Sequence, residues 1–93
     1  MKLAIYGAGG LGREVLELAQ EINATESRWD ALCLVDDNPQ FDQLNSYPIV
    51  PLNALIPDEC EIVIAVGEPS LRRTLGQRAF EGGFRLATLV HPS

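Results

Sequence analysis

Basic residues are scarce: 7 Lys and Arg stand against 13 Asp and Glu, giving a formal net charge of −6. No diffuse positive field exists to draw in DNA, RNA or an anionic membrane, which argues against a general nucleic-acid binder. Histidine occurs once, as His91, and the two cysteines, Cys33 and Cys60, lie far apart without a Cys-x-x-Cys spacing. Neither a zinc site nor a disulfide framework is expected, and both thiols read as small buried hydrophobes. Long apolar runs are missing as well. Leu3-Ala4-Ile5-Tyr6 breaks into glycines too soon for a signal-peptide core or a membrane span, so the expected compartment is the cytoplasm. The chain has no G-x-x-x-x-G-K-[ST] loop, no G-x-S-x-G elbow and no evident Ser/His/Asp set, so no complete catalytic apparatus is visible. What remains is 93 residues, 46% hydrophobic and 22% charged. That balance suits one small folded domain and is too apolar for disorder.

Residues 2 to 6 form a short apolar run ended by Gly7, as expected of a strand buried on both faces. From Gly10 the period changes. Leu11, Val15, Leu18 and Ile22 mark the inner stripe of an amphipathic helix, and Asn23 is its expected stop. Residues 31 to 35 give a second strand closing in Asp36-Asp37-Asn38-Pro39. Residues 38 to 60 carry four prolines and read mostly as loop, with 47 to 50 as a short edge strand. The β-branched run at 62 to 66 predicts a central strand. Ser70 is the expected cap of a helix to about Phe80, with Leu71, Leu75 and Ala79 inward and Gly82-Gly83 as its end. Residues 86 to 90 supply a last strand. This order predicts an α/β fold, a small Rossmann-like domain of about four parallel strands with helices on both faces.

Gly7-Ala8-Gly9-Gly10-Leu11-Gly12 matches G-x-G-x-x-G between a predicted strand and a predicted helix. Gly7 permits the tight turn, Gly9 admits a phosphate to the backbone and Gly12 allows close helix packing, while the free N–H groups and the helix dipole favour an anion. The plainer alternative is a glycine-rich turn with no ligand. Asp36, at the end of the second strand, is placed to accept hydrogen bonds from a ribose or base; a solvated turn explains Asp36-Asp37 equally well. No Arg or Lys follows to hold a 2′-phosphate, which disfavours NADP. Gly67 opens a second loop on the same carboxyl edge, and Arg72 and Arg73 in the next helical turn either reach an anion or balance Glu68 and Glu81. With room for only about four strands, the site is mononucleotide-sized, which favours a nucleotide or sugar nucleotide over NAD.

Four segments together resemble the N-terminal domain of the PglD/NeuD-like bacterial sugar acetyltransferases, which modify UDP-4-amino-sugars and sialic acid. They are Ile5-Tyr6-Gly7-Ala8-Gly9-Gly10-Leu11-Gly12-Arg13-Glu14-Val15, Val35-Asp36-Asp37-Asn38-Pro39, Ile64-Ala65-Val66-Gly67 with Arg72, and Leu89-Val90-His91-Pro92-Ser93. The resemblance implies a nucleotide-sugar-binding domain followed, after residue 93, by a hexapeptide-repeat β-helix. That second domain would trimerise, bind acetyl-CoA as co-substrate and carry the general-base histidine. Carried over by position, Gly7, Ala8, Gly9 and Gly10 line the phosphates, Asp36 and Asp37 meet uracil or ribose, and Gly67 and Arg72 border the pocket. Relatives often carry histidine or an aromatic at the place of Leu11, so its backbone is the part expected to contact ligand. The rival readings are an NAD-linked redox or sensing module and a ligand-free assembly domain.

Overall fold

The computed structural model describes residues 1–89; Val90, where the last predicted strand ends, and His91 lie outside the described residues. The elements run β1 (Lys2–Tyr6), α1 (Gly10–Glu26), β2 (Ala31–Val35), β3 (Gln43–Leu44), β4 (Tyr47–Val50), β5 (Cys60–Ile64), α2 (Pro69–Glu81) and β6 (Arg85–Leu86). Single 3-10 turns at Leu52–Ala54 and Pro57–Glu59 join β4 to β5. The strands form one sheet in the order β3-β4-β2-β1-β5-β6, parallel throughout except for the β3–β4 hairpin. The chain lays β2 on one side of β1 and later returns to lay β5 on the other. The carboxyl end of β1 is therefore the point where strand order reverses, the usual place for a ligand crevice in an open α/β sheet.

The two-residue side-chain period divides the core. Leu3, Ile5, Leu32 and Leu34 pack with Leu16, Ala19 and Ile22 of α1 on one face. Ala4, Tyr6, Cys33, Val35, Cys60 and Ile62 pack with Leu75 and Ala79 of α2 on the other. Because both faces are covered, β1 and β2 are continuous apolar runs. Helices thus lie on both faces, as the element order predicts. Both cysteines are free and buried, and burial pushes the Cys33 thiol up to about 11 and raises that of Cys60. Such thiols are unreactive at neutral pH. No helix among the described residues is long and apolar enough to cross a membrane.

Several boundaries differ from the sequence reading, each for a physical reason. The buried stripe of α1 is Gly12, Leu16, Ala19 and Ile22, one position round from the predicted one, leaving Leu11, Val15 and Leu18 half-buried. Helix rotation is dictated by Gly12: a Cβ there would stand 2.0 Å from the Gly7 carbonyl oxygen. α1 also runs past Asn23 to Ser27, whose left-handed backbone (φ 51) ends it. Asn23 instead brackets the following loop, its side chain accepting from the Trp29 N–H and donating to the Trp29 carbonyl. The predicted loop holds the hairpin of β3 and β4, turned by Asn45 and Ser46 with positive φ at both, the type I′ geometry that matches strand twist. β4 pairs with both β2 and β3, so it is an inner strand and β3 is the edge. The run predicted at 62 to 66 is paired at Cys60–Ile64, one strand in from β6, and the last strand is only Arg85–Leu86. Glu68, and not Ser70, caps α2, accepting from the N–H groups of Ser70 and Leu71 with Pro69 in the first turn.

Two glycine substitutions check this packing. Gly12→Ala is expected to destabilise the domain by about 3 kcal/mol, the upper range for overpacking against rigid backbone. Gly76→Ala in α2, where a methyl meets nothing within 4 Å, is expected to stabilise by about 0.5–1 kcal/mol through helix propensity. Urea midpoints of the two variants and the parent measure both.

Candidate functional site

The β1–α1 loop is held on both sides. The Gly7 N–H donates to the Val35 carbonyl at 2.8 Å, and the Ala65 N–H donates to the Tyr6 carbonyl at 2.8 Å. Gly7 adopts φ +124, and a Cβ there would lie 2.6 Å from the Ala65 oxygen. Beyond this pinned turn the backbone opens out. A Cβ at Gly9 or Gly10 would meet nothing within 4 Å. Gly9 is the N-cap of α1, yet no side chain caps the helix and its first turn carries no acid. The start of α1 is therefore left without a capping side chain or a neutralising acid at the positive end of its dipole.

Against the preceding glycine turn lies a cavity of about 310 Å³ at the carboxyl edge of the sheet. Gly7, Ala8 and Gly9 form one wall, Asp36, Asp37 and Asn38 after β2 a second, and Leu71, Leu75 and Arg78 of α2 a third, with Tyr6, Val35 and Val66 completing the lining. Leu71, Leu75 and Arg78 recur at four and three positions, so one face of α2 supplies the whole wall. A second hollow of about 290 Å³ shares Ala8, Gly9, Asp36 and Asn38 and adds Phe41 and Ile49.

Asp37 is the polar hub of the cavity. Its Oδ2 accepts from the Tyr6 hydroxyl and, at 3.0 Å, from Arg78 Nη1, while Oδ1 accepts from the Leu52 N–H at 3.0 Å. β1, the first 3-10 turn and α2 are thus joined at one carboxylate. Burial pushes the Asp37 carboxyl upward, but hydrogen bonds from Tyr6 and Leu52 and the Arg78 charge outweigh it and hold the group below its ordinary value. Burial and the hydrogen bond to Asp37 raise the Tyr6 phenol. Asp36 is less committed: Oδ1 accepts from the Asn38 N–H at 3.0 Å, closing an Asx turn.

Of the residues singled out in the sequence, Gly7, Ala8, Gly9, Asp36 and Asp37 come together in this cavity. Gly10 is exposed at the start of α1, and Leu11 packs half-buried against the core on the α1 face. Gly67 and Arg72 stand outside the lining; the Arg72 guanidinium folds back so that Nε donates to the Val66 carbonyl at 3.2 Å. Sequence reasoning missed Tyr6 and Arg78. Tyr6 is the one buried residue of the first strand with a polar tip, and Arg78 shares the helical face of Leu71 and Leu75.

Residues 2–79 match the PglD N-terminal domain. The chain belongs to that family. UDP-N-acetylbacillosamine N-acetyltransferase of Bacillus subtilis (strain 168) is 35% identical over 97 residues, covering 98% of this chain and 43% of the relative. The acetyltransferase domain of PglB from Neisseria gonorrhoeae FA1090 in complex with acetyl coenzyme A superposes with a TM-score of 0.83 at 36% identity, covering 98% of this chain and 44% of that one. A second structure of the same PglB domain gives a TM-score of 0.82 at 34% identity. This PglD N-terminal domain therefore spans less than half the length of the relatives it matches.

The hub has a pH signature. Because the folded state depresses the Asp37 pKa, its contribution to stability is present above the unfolded carboxyl value near about pH 4 and is lost as pH falls through the lower folded value. Thermal midpoints of the parent are expected to fall more steeply below about pH 4 than those of Asp37→Asn. Parallel pH profiles would contradict the assignment.

Proposed function

We propose that this domain binds a nucleotide sugar of the UDP-amino-sugar type. The diphosphate lies on the leading N–H groups of α1, the nucleoside lies toward Asp36, and the sugar projects from the cavity. In the full-length enzyme, a sugar amine or hydroxyl is thereby presented to acetyl-CoA, which the hexapeptide-repeat domain expected after residue 93 would hold within a trimer. This domain contributes positioning, which lowers the entropic part of the acyl-transfer barrier. Proton removal from the attacking group belongs to a base outside this chain.

The observation that carries the reading is a contrast between the two helices. The amides at the start of α2 are occupied by the Glu68 carboxylate, and those hydrogen bonds hold Glu68 below its ordinary value. The start of α1 has no such internal anion, and the Gly7–Gly9 turn that leads into it lines a cavity in which a Cβ at Gly9 would meet nothing within 4 Å. In an acidic protein, neutral backbone dipoles of this kind are an effective way to hold a diphosphate. Family membership and the names of the relatives point to the same chemistry.

Titration of the 93-residue chain with a UDP-amino-sugar, followed by calorimetry and amide NMR, tests this. Saturable binding is expected, with shifts concentrated at Gly9, Gly10 and Asp36. Gly9→Val, which places a branched side chain on the phosphate path at a position where a Cβ meets nothing within 4 Å, is expected to lose at least about 10-fold in affinity, equivalent to about 1.4 kcal/mol, with its thermal midpoint little changed. NAD binding more tightly than any UDP-sugar would favour the redox reading.

A further inference from the structure

Arg78 is the only lysine or arginine that lines the cavity among the described residues, and it shares that lining with Asp36 and Asp37. A diphosphate entering this cavity meets two carboxylates and one guanidinium. The approach is repulsive unless that guanidinium turns from the protein's carboxylate to the ligand. We propose that Arg78 is a ligand-exchanging residue: it rests on Asp37 in the free protein and transfers its hydrogen bonds to the diphosphate when a nucleotide sugar binds. The exchange rests on the cavity being a nucleotide-sugar site.

Three features of the site make the exchange feasible. First, the resting pair is weak. The Arg78 and Asp37 side chains are 56% and 36% exposed, and ion pairs so open to water contribute little. Second, Asp37 does not depend on Arg78 for its place, since the Tyr6 hydroxyl and the Leu52 N–H hold both of its oxygens. Arg78 can leave without orphaning the carboxylate. Third, the guanidinium has room on either side. Asp37 and Arg78 also line a neighbouring hollow of about 470 Å³, bounded by Leu52, Leu55, Pro57 and Phe84. The ion pair therefore borders open space in both directions. A planar guanidinium is also the side chain best matched to two phosphate oxygens at once.

Phosphate dependence separates this role from a structural staple. UDP and uridine are titrated into the 93-residue chain, its Arg78→Gln variant and its Arg78→Lys variant, and each protein's thermal midpoint is recorded. Arg78→Gln is expected to weaken UDP binding roughly 10- to 100-fold, the usual effect of losing a charge-assisted hydrogen bond, with uridine binding unchanged; Arg78→Lys should recover part of the loss. Equal weakening of UDP and uridine would make Arg78 a staple and overturn the proposal. So would UDP binding indifferent to the glutamine. If the parent binds neither compound, the nucleotide reading itself fails. Should the glutamine variant not fold, the Arg78 Nε–H resonance of the parent decides: it must move with UDP and stay in place with uridine.

Discussion

The close approach of Gly12 to the Gly7 carbonyl is the constraint on which the rest of this domain depends. With no Cβ at either position, the first turn of α1 settles directly onto the end of β1. That contact sets the rotation of the helix and brings Leu16, Ala19 and Ile22 onto Leu3, Ile5, Leu32 and Leu34. It also seats the start of the helix directly after the Gly7–Gly9 turn that lines the crevice where strand order reverses. The packing and the candidate binding function therefore share one cause: a side chain at Gly12 would collide with the Gly7 carbonyl and displace the turn that lines the cavity.

Electrostatics reinforce this arrangement. A chain of net charge −6 has little long-range attraction to offer an anion, so any anion site must be built from local dipoles and a chosen cation. The two helices solve the problem of their N-termini differently. α2 neutralises its own dipole with Glu68, whereas α1 has glycines where a capping side chain would stand. Arg72, in the first turn of α2 where a cation opposes the dipole, spends its Nε–H on the Val66 carbonyl. Arg78, near the opposite end of the same helix, is favoured by the dipole there and is the cation that reaches the cavity.

The features legible in the sequence are local ones. The apolar runs of β1 and β2, the glycine turn and the existence of both helices depend on periodicity and on glycine within a few residues, and these emerge in the right order with helices on both faces. The inner stripe of α1 is displaced by one position because periodicity weighs large apolar side chains and gives no weight to a glycine, although Gly12 makes the contact that sets the rotation. The β3–β4 hairpin escapes because β3 is two residues long and its turn, Asn45-Ser46, lacks the glycine that usually signals type I′ geometry. In the site, Gly7, Gly9 and Asp36 are legible because motif spacing places them at strand ends. Arg78 is not: an arginine inside an amphipathic helix reads as solvated, and its meaning depends on a carboxylate 41 positions away.

The adjacent acids after β2 divide their work in a way that their sequence neighbourhood does not announce. An ionised carboxylate has about four acceptor positions. Asp37 accepts from Tyr6, Arg78 and Leu52, and so governs how β1, the first 3-10 turn and α2 sit around the cavity. Asp36 accepts from its own turn and lines both the glycine cavity and the hollow beside Phe41. In the proposed complex, Asp36 is thus the acid with acceptor capacity to spare for a ribose hydroxyl or a base N–H, while Asp37 stays tied to β1 and the first 3-10 turn through Tyr6 and Leu52. If Arg78 moves to the diphosphate, one acceptor position of Asp37 is released beside the ligand at the same moment. Asp37 then acquires a role at the ligand only as a consequence of binding, so the two acids act in sequence and not as a static pair.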